Sequence, residues 1–318
     1  MVSHDCGATF VTPHPPGERY TDASAYPQPT DPLVFLHVDA SLVVVAKPAF
    51  LPSENTRHLK DSVRSRVVAE LASRGEPIAG LHLVHRLDWE TSGLLVLART
   101  ADAMRSLSMQ FEGREVDKVY VADIVGARGP AAPAGRISMP LSPDPDRRPL
   151  QRIDYGQTGR QATTDWAVVE ARPGAWRVRL EPASGRRHQL RVHMLAAFGC
   201  AIAGDALYGA HSEDAPRVQL VCVAGMSGES VRVRAVCGAG LGSCCSRLHL
   251  HAAELAFTHP ATGQRVAFVS DPPFALAEAV SETTRTLAGA RTCAGMGGRV
   301  VGLASEALTH AGAEHRVY

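Results

Sequence analysis

The chain has 318 residues, enough for one large domain or two small ones around a real hydrophobic core. Hydrophobic residues make up 45% and charged residues 20%, ordinary values for a globular protein, and the formal net charge of +1 argues against a histone-like RNA coat while leaving room for local basic patches. No run approaches the roughly 18–20 apolar residues of a membrane span, so no membrane partner is expected.

In chain order, the start MVSHDCGATFVTPHPPGERY lacks the basic end and apolar centre of a signal peptide, which gives a cytoplasmic expectation. Residues 1–30, rich in Pro, Thr, Ser and Asp, predict a flexible leader. Two β-rich runs in 32–51 flank an Asp-Ala-Ser turn and predict a hairpin. Val63, Val67, Val68 and Leu71 recur at helical steps within 59–74. LVHRLDWETSGLLVLART, 83–100, reads as strand, turn, strand, and 101–112 as a helix with Ala103, Leu107 and Phe111 on one face. KVYVADIVG, 118–126, is a strand, and the proline-rich 128–150 is loop. A hairpin over 163–184 turns at Pro173-Gly174, and a helix over 186–199 stops at Gly199. The last core strands are 247–260 and 264–270.

Residues 217–246, rich in Val, Gly, Ser and Cys, read as an insertion, and 276–318 as a C-terminal tail, leaving a core domain over 31–275. Many short strands and few helices predict an α+β fold with a mainly antiparallel mixed sheet and flanking helices. The seven cysteines (Cys6, Cys200, Cys222, Cys237, Cys244, Cys245 and Cys293) are odd in number and form no CxxC pair. Reduced thiols are expected, with no metal site.

Two clusters carry chemistry. Asp88 sits at a corner between strand-like runs, where a carboxylate kept ionised by a cation can act as nucleophile or base. Arg86, two residues away, points to the same side of an extended chain, and Thr91, Ser92 and Gly93 can fix the corner. Taken alone, such an aspartate is most often a solvated turn residue. The second cluster, SGRRHQLRVH over 184–193, places Arg187 and Arg191 four apart on an expected helix. Its apolar Leu190, Val192 and Met194 predict partial burial, and a half-buried arginine needs a carboxylate or phosphate partner. Candidate phosphate contacts are Arg147, Arg148, Arg152, Arg160, Arg186, Arg187 and His188.

HRLDWETSG, KVY, SGRRHQLRVH with GDALYG, and RLHLHAAELAFTHP occur in this order. Together they resemble the RluA family of RNA pseudouridine synthases, over residues 32–275. The resemblance implies the pseudouridine synthase fold with a central RNA-binding cleft. It implies an isomerisation in which a uridine of RNA is detached from its ribose, rotated and rejoined through carbon. No metal, redox or nucleotide cofactor is implied, in keeping with the lack of a GxxxxGK[ST] loop or a dinucleotide fingerprint.

By the same resemblance Asp88 is the catalytic aspartate and presumed nucleophile. Tyr120 is a tyrosine that stacks on the target base, Arg191 pairs with the catalytic carboxylate, and Leu250 lines the base pocket. Arg86 occupies the space of the flipped uridine, and His85 contacts RNA or supports the turn. PLSPDPDRRP and GRQATTDWAVVE are similar to the dual-specificity branch, which acts on large-subunit rRNA and a tRNA anticodon arm. The expected partner is RNA, and the expected state a monomer. An RNA-binding assembly factor of the same fold without turnover is the alternative, and a hydrolase using Asp88 with His85 as base is a third. Three features depart from the pattern: Phe50 where glycine is usual after Lys-Pro, Ser184 for threonine, and the 217–246 insertion.

Overall fold

The computed structural model describes residues 28–29, 31–56, 59–126, 129–209 and 247–275. The expected insertion, the tail, and all of the expected leader but residues 28–29 lie outside the described residues. β1 (Val34–Val38) and β2 (Leu42–Lys47) pair as the expected hairpin. Its turn is set by Asp39, whose Oδ1 accepts from the backbone N–H of Ser41 at 2.7 Å and of Leu42 at 2.8 Å. α1 (Val63–Ser73) begins at Ser62 with a reciprocal capping box to Ser65 and buries Val63, Val67 and Leu71. β3 (His82–Leu83) is only two residues long, so the stretch before Asp88 is mostly connection rather than strand. β4 (Ser92–Ala98) is buried along its whole length, as a central strand must be. α2 (Ala101–Gly113) is capped by Thr100, and β5 (Asp117–Val125) follows.

The proline-rich passage expected to be loop contains β6 (Ala134–Ser138) and β7 (Leu141–Pro143), with β8 (Gln151–Ile153) just beyond. β6 buries only Ile137, so it shows no alternating pattern to read. β9 (Thr163–Arg172) and β10 (Ala175–Pro182) form the expected hairpin. α3 (Gln189–Phe198) ends at Gly199, whose left-handed backbone (φ 64°) suits a residue without Cβ. α3 starts later than expected, after a turn, so Arg187 lies outside the helix and shares no helical face with Arg191. β11 (Leu250–Thr258) and β12 (Arg265–Val269) complete the chain order.

The strands form one ten-stranded sheet in the order β1-β2-β4-β11-β5-β10-β9-β6, with β12 beside β11 and β3 beside β4; β7 and β8 form a separate ribbon. Every pairing is antiparallel except β4 with β11. That parallel contact needs Gly93, at φ +115°, because a Cβ there would stand 2.3 Å from the Ala252 carbonyl oxygen. α1 packs Val63, Val67 and Leu71 against Val43, Val45, Leu95 and Leu97. α3 packs Leu190 and Met194 against Ala122, Ile124, Val178 and Leu180. Tyr120 touches both clusters, and it is at this junction that the sheet opens into a cleft. α2 packs against alternate residues of the same strands, Leu42, Val44, Leu94 and Val96, and so covers the other face. Among the described residues no helix is long and apolar enough to cross a membrane.

Candidate active site

The turn that carries Asp88 is held at both neighbours. Ser53 Oγ accepts from the Leu87 N–H at 3.2 Å and donates to the Leu87 carbonyl at 3.1 Å. On the other side, the Trp89 carbonyl accepts from the Phe50 N–H at 2.8 Å, and Trp89 Nε1 donates to the Phe50 carbonyl at 2.6 Å. Phe50 adopts a left-handed backbone (φ 63°), which explains why glycine is usual at this place; here the Trp89 bonds and an edge-on ring contact at 5.3 Å offset the strain. Lys47, 1% exposed, gives Nζ hydrogen bonds to the carbonyls of Pro48, Leu51 and Trp89. Burial lowers its pKa to about 7, with Asp88 working against that shift.

Asp88 itself is left open. Its backbone carbonyl accepts from the Thr91 N–H, but its carboxylate makes no hydrogen bond or ion pair with any described residue. It lines a cleft of about 100 Å³ with Arg86, Lys118, Tyr120, Arg186, His188, Arg191 and Leu250. Burial, and then the Asp88 charge, push the Tyr120 phenol well above its ordinary range, so it stays protonated. Burial also lowers Lys118, with Arg114 adding to the effect. Leu250 is 3% exposed and belongs to the α3 core as well as to the cleft wall.

Arg191 does not make the expected pair with Asp88. It is 1% exposed; its Nε and one terminal nitrogen grip Asp205 at 2.7 and 2.5 Å, and the other terminal nitrogen donates to Glu90 at 2.6 Å. The reason is topological. α3 delivers the guanidinium between two carboxylates that the spacing of HRLD and HQLRVH does not reveal. Burial opposes the Arg191 charge, but Asp205 and Glu90 more than compensate and hold it protonated. Burial raises the Glu90 carboxyl, Arg191 resists the shift, and the charges of Asp205 and Asp88 add to it.

Three expected RNA contacts stand elsewhere. His85 packs its ring on Phe111 at 4.5 Å and accepts from the Val96 N–H through Nε2 at 3.0 Å, so it holds the turn from behind. Burial, with Lys118 adding to it, lowers His85 to about 3. Arg148 lies exposed before Pro149, outside the cleft lining, and Arg187 is exposed and also outside it. Asp205, Tyr208, Glu90 and Lys47 were missed as site residues. GDALYG holds Asp205 and Tyr208, HRLDWETSG holds Glu90, and Lys47 ends β2, but none of these stretches has a period that points at Arg191.

The described residues include one group with metal-ligand proximity, His37, Asp39 and His259. His259 Nδ1 accepts from the N–H groups of Ala261 and Thr262, both at 3.2 Å, so its proton sits on Nε2 and is donated to Asp39 at 2.8 Å. A protonated nitrogen is no ligand, and the group fits a hydrogen-bonded turn.

The model of the RNA pseudouridylate synthase family matches residues 41–196. The dual-specificity RNA pseudouridine synthase RluA of Escherichia coli strain K12 is 39% identical over 254 residues, covering 78% of this chain and 98% of that protein. The chain belongs to the RNA pseudouridylate synthases. The RluA of Yersinia pestis is 36% identical over 245 residues, covering 76% of this chain and 100% of that protein. Among solved structures, human RNA pseudouridylate synthase domain containing 4 superposes with a TM-score of 0.53 at 27% identity, covering 76% of this chain and 88% of that one. The protein is thus an isomerase whose substrate is RNA.

The synthase keeps several imidazoles neutral around this sheet. Burial lowers His188, His193 and His251 to about 4 each. The unfolded chain, with histidines near 6.5, therefore binds protons first as pH falls, and stability that is full above about pH 6.5 is lost toward pH 4. At pH 5 the loss is about 2 kcal/mol per ring, with Glu90, shifted upward, acting in the opposite direction. Urea midpoints should hold between pH 7.5 and about 6.5 and then fall toward pH 5; a flat series throughout would show that these rings are not held neutral.

Proposed function

We propose that this synthase isomerises a uridine in large-subunit rRNA and one in a tRNA anticodon arm, with Asp88 as nucleophile. The observation that carries the reading is a carboxylate with no hydrogen-bond or ion-pair partner among the described residues, in a cleft walled by Tyr120, Leu250 and the Arg191 hub. The dual-specificity name of the RluA relatives supports the choice of substrates. In the reaction the C1′–N1 bond breaks, the uracil turns, C5 bonds to C1′, C5 loses its proton and N1 gains one. Atoms and electrons balance without a nucleotide or redox partner. Asp88 supplies the attacking carboxylate; the bond it forms to the nucleoside breaks again before the product leaves, which regenerates the carboxylate, and Tyr120 covers the base and lies near the C5 proton. Arg191 places positive charge beside the nucleophile. Arg86, exposed at the rim, fills the stack that the uridine leaves, recovering part of a flipping cost of a few kcal/mol. Arg186 and Lys118 contribute positive charge toward phosphates.

Pseudouridine mapping by carbodiimide modification and primer extension, on total rRNA and tRNA from cells with and without the gene, tests the assignment. Loss of one rRNA signal and one anticodon-arm signal is expected. Loss of signals elsewhere would overturn the substrates. No lost signal, with RNA still bound by the purified protein, would favour an assembly factor of the same fold without turnover.

A further inference from the structure

α3 is entered through His188, which is 6% exposed and has a left-handed backbone, φ 52°. A non-glycine residue holds that conformation at a cost of about 1–3 kcal/mol and needs its surroundings to enforce it. Tyr208 does so. Its ring meets the imidazole edge-on at 5.6 Å, and its hydroxyl lies 2.8 Å from His188 Nδ1. The same hydroxyl oxygen accepts from the Gln151 N–H at 2.8 Å.

Proton positions follow from these partners. Tyr208 is 2% exposed, and its hydroxyl has one proton to give. If His188 Nδ1 carried a proton, the phenol oxygen would accept twice and its own proton would be buried with no acceptor, at a cost of about 1–3 kcal/mol. The satisfied arrangement has Tyr208 donating to Nδ1. The imidazole proton then sits on Nε2, the one ring nitrogen with no partner among the described residues, on a side chain that lines the cleft.

We infer that His188 presents a neutral Nε2–H to an oxygen acceptor of the target uridine, a base carbonyl or a ribose hydroxyl, and that Tyr208 is the positioning residue that fixes this tautomer. The charged and titratable groups around the ring are Asp88 from the turn, Arg187 beside it, Arg191 on α3, and Asp205 and Tyr208 beyond α3. Burial lowers the imidazole to about 4 against the pull of Asp88, so the ring is uncharged at neutral pH. It is therefore not a phosphate-pairing cation. With the Nδ1 lone pair engaged, it is not a base either. A neutral donor beside the nucleophile adds no cation to pair with Asp88, and it can read an oxygen on the nucleoside.

The inference rests on the synthase reading, and the test separates the two. The substrate is the stem-loop around the mapped uridine, prepared with uridine, 2-thiouridine, 4-thiouridine or 2′-deoxyuridine at the target. His188→Phe should lower kcat/KM roughly 10- to 100-fold with RNA affinity unchanged, and His188→Gln, which keeps an N–H donor, should recover most of it. Tyr208→Phe should lose part of the rate and gain a pH dependence as the tautomer is released. One analogue should lower the wild-type rate by the same factor while leaving His188→Phe no lower than on uridine. His188→Phe at the wild-type rate, or every analogue lowering both proteins equally, would overturn the inference. If His188→Phe does not fold, His188→Asn, which tolerates a left-handed backbone but falls short of the cleft, takes its place. Wild-type protein inactive on the uridine stem-loop would instead overturn the assigned substrate.

Discussion

Asp88→Asn is expected to leave the protein folded and RNA-bound while lowering turnover at least about 10⁴-fold. The two halves of this expectation have separate causes. The carboxylate has no partner among the described residues, so the amide orphans no buried donor and breaks no ion pair. The bonds that shape the turn run through Leu87, Trp89 and the Asp88 carbonyl, all of which asparagine retains. Asp88 is one of the charges that raise Glu90 but also one that favours the Lys47 and Arg191 cations, so its neutralisation gives up attraction as it relieves repulsion, and the melting temperature should change little. The amide, however, cannot attack as a carboxylate does. Single-turnover conversion of the mapped stem-loop, run beside a thermal melt, checks both halves. Activity within a factor of a few of wild type would remove Asp88 from the nucleophile's role; a large fall in melting temperature would show that its charge holds the fold.

How much was legible in the sequence depends on whether a feature is local. β4 could be read because it is a continuous apolar run, β5 and the β9–β10 hairpin because β-forming residues are bounded by turn residues, and Gly199 marks the end of α3 through its conformational freedom. β6, β7 and β8 could not, because they are short and bury only Ile137, Leu141, Ser142 and Ile153 among them. In the site, Arg86, Asp88, Tyr120, Arg186, His188, Arg191 and Leu250, named from ordered motifs far apart in the chain, all line one cleft. The partners of Arg191 were invisible for a different reason. Glu90 is 101 positions away and Asp205 lies 14 away across a turn, so neither pair leaves a periodic trace. Phe50 is the converse case. It breaks the usual glycine pattern, and its support, Trp89, stands beside Asp88 in plain view, yet only the two bonds to Trp89, one to its carbonyl and one from its indole, reveal why the exception is tolerated.

Arg191→Ala, in contrast to Asp88→Asn, is expected to cost about 3–5 kcal/mol of stability as well as activity, because removing one partner of a buried ion cluster leaves the others uncompensated. The Asp205 side chain is fully buried, and that of Glu90 is 13% exposed. Without the guanidinium, Asp205 keeps only its bonds from the N–H groups of Leu207 and Tyr208, and Glu90 loses the opposing charge that restrains its upward shift. Tyr208 would lose the cation lying 5.4 Å over its ring, loosening the residue that positions His188. Arg191→Lys should restore part of the stability, since the charge returns, but little of the rate, since an ammonium cannot grip Asp205 with two parallel bonds and reach Glu90 at once. The double variant Arg191→Ala with Asp205→Asn should be less destabilised than the sum of its single changes by about 1–3 kcal/mol, because the second change removes the stranded charge left by the first. Urea unfolding of the four proteins measures the coupling directly. Strict additivity would mean that Arg191 and Asp205 stabilise the fold independently, and Arg191 would then act on Asp88 through its field alone.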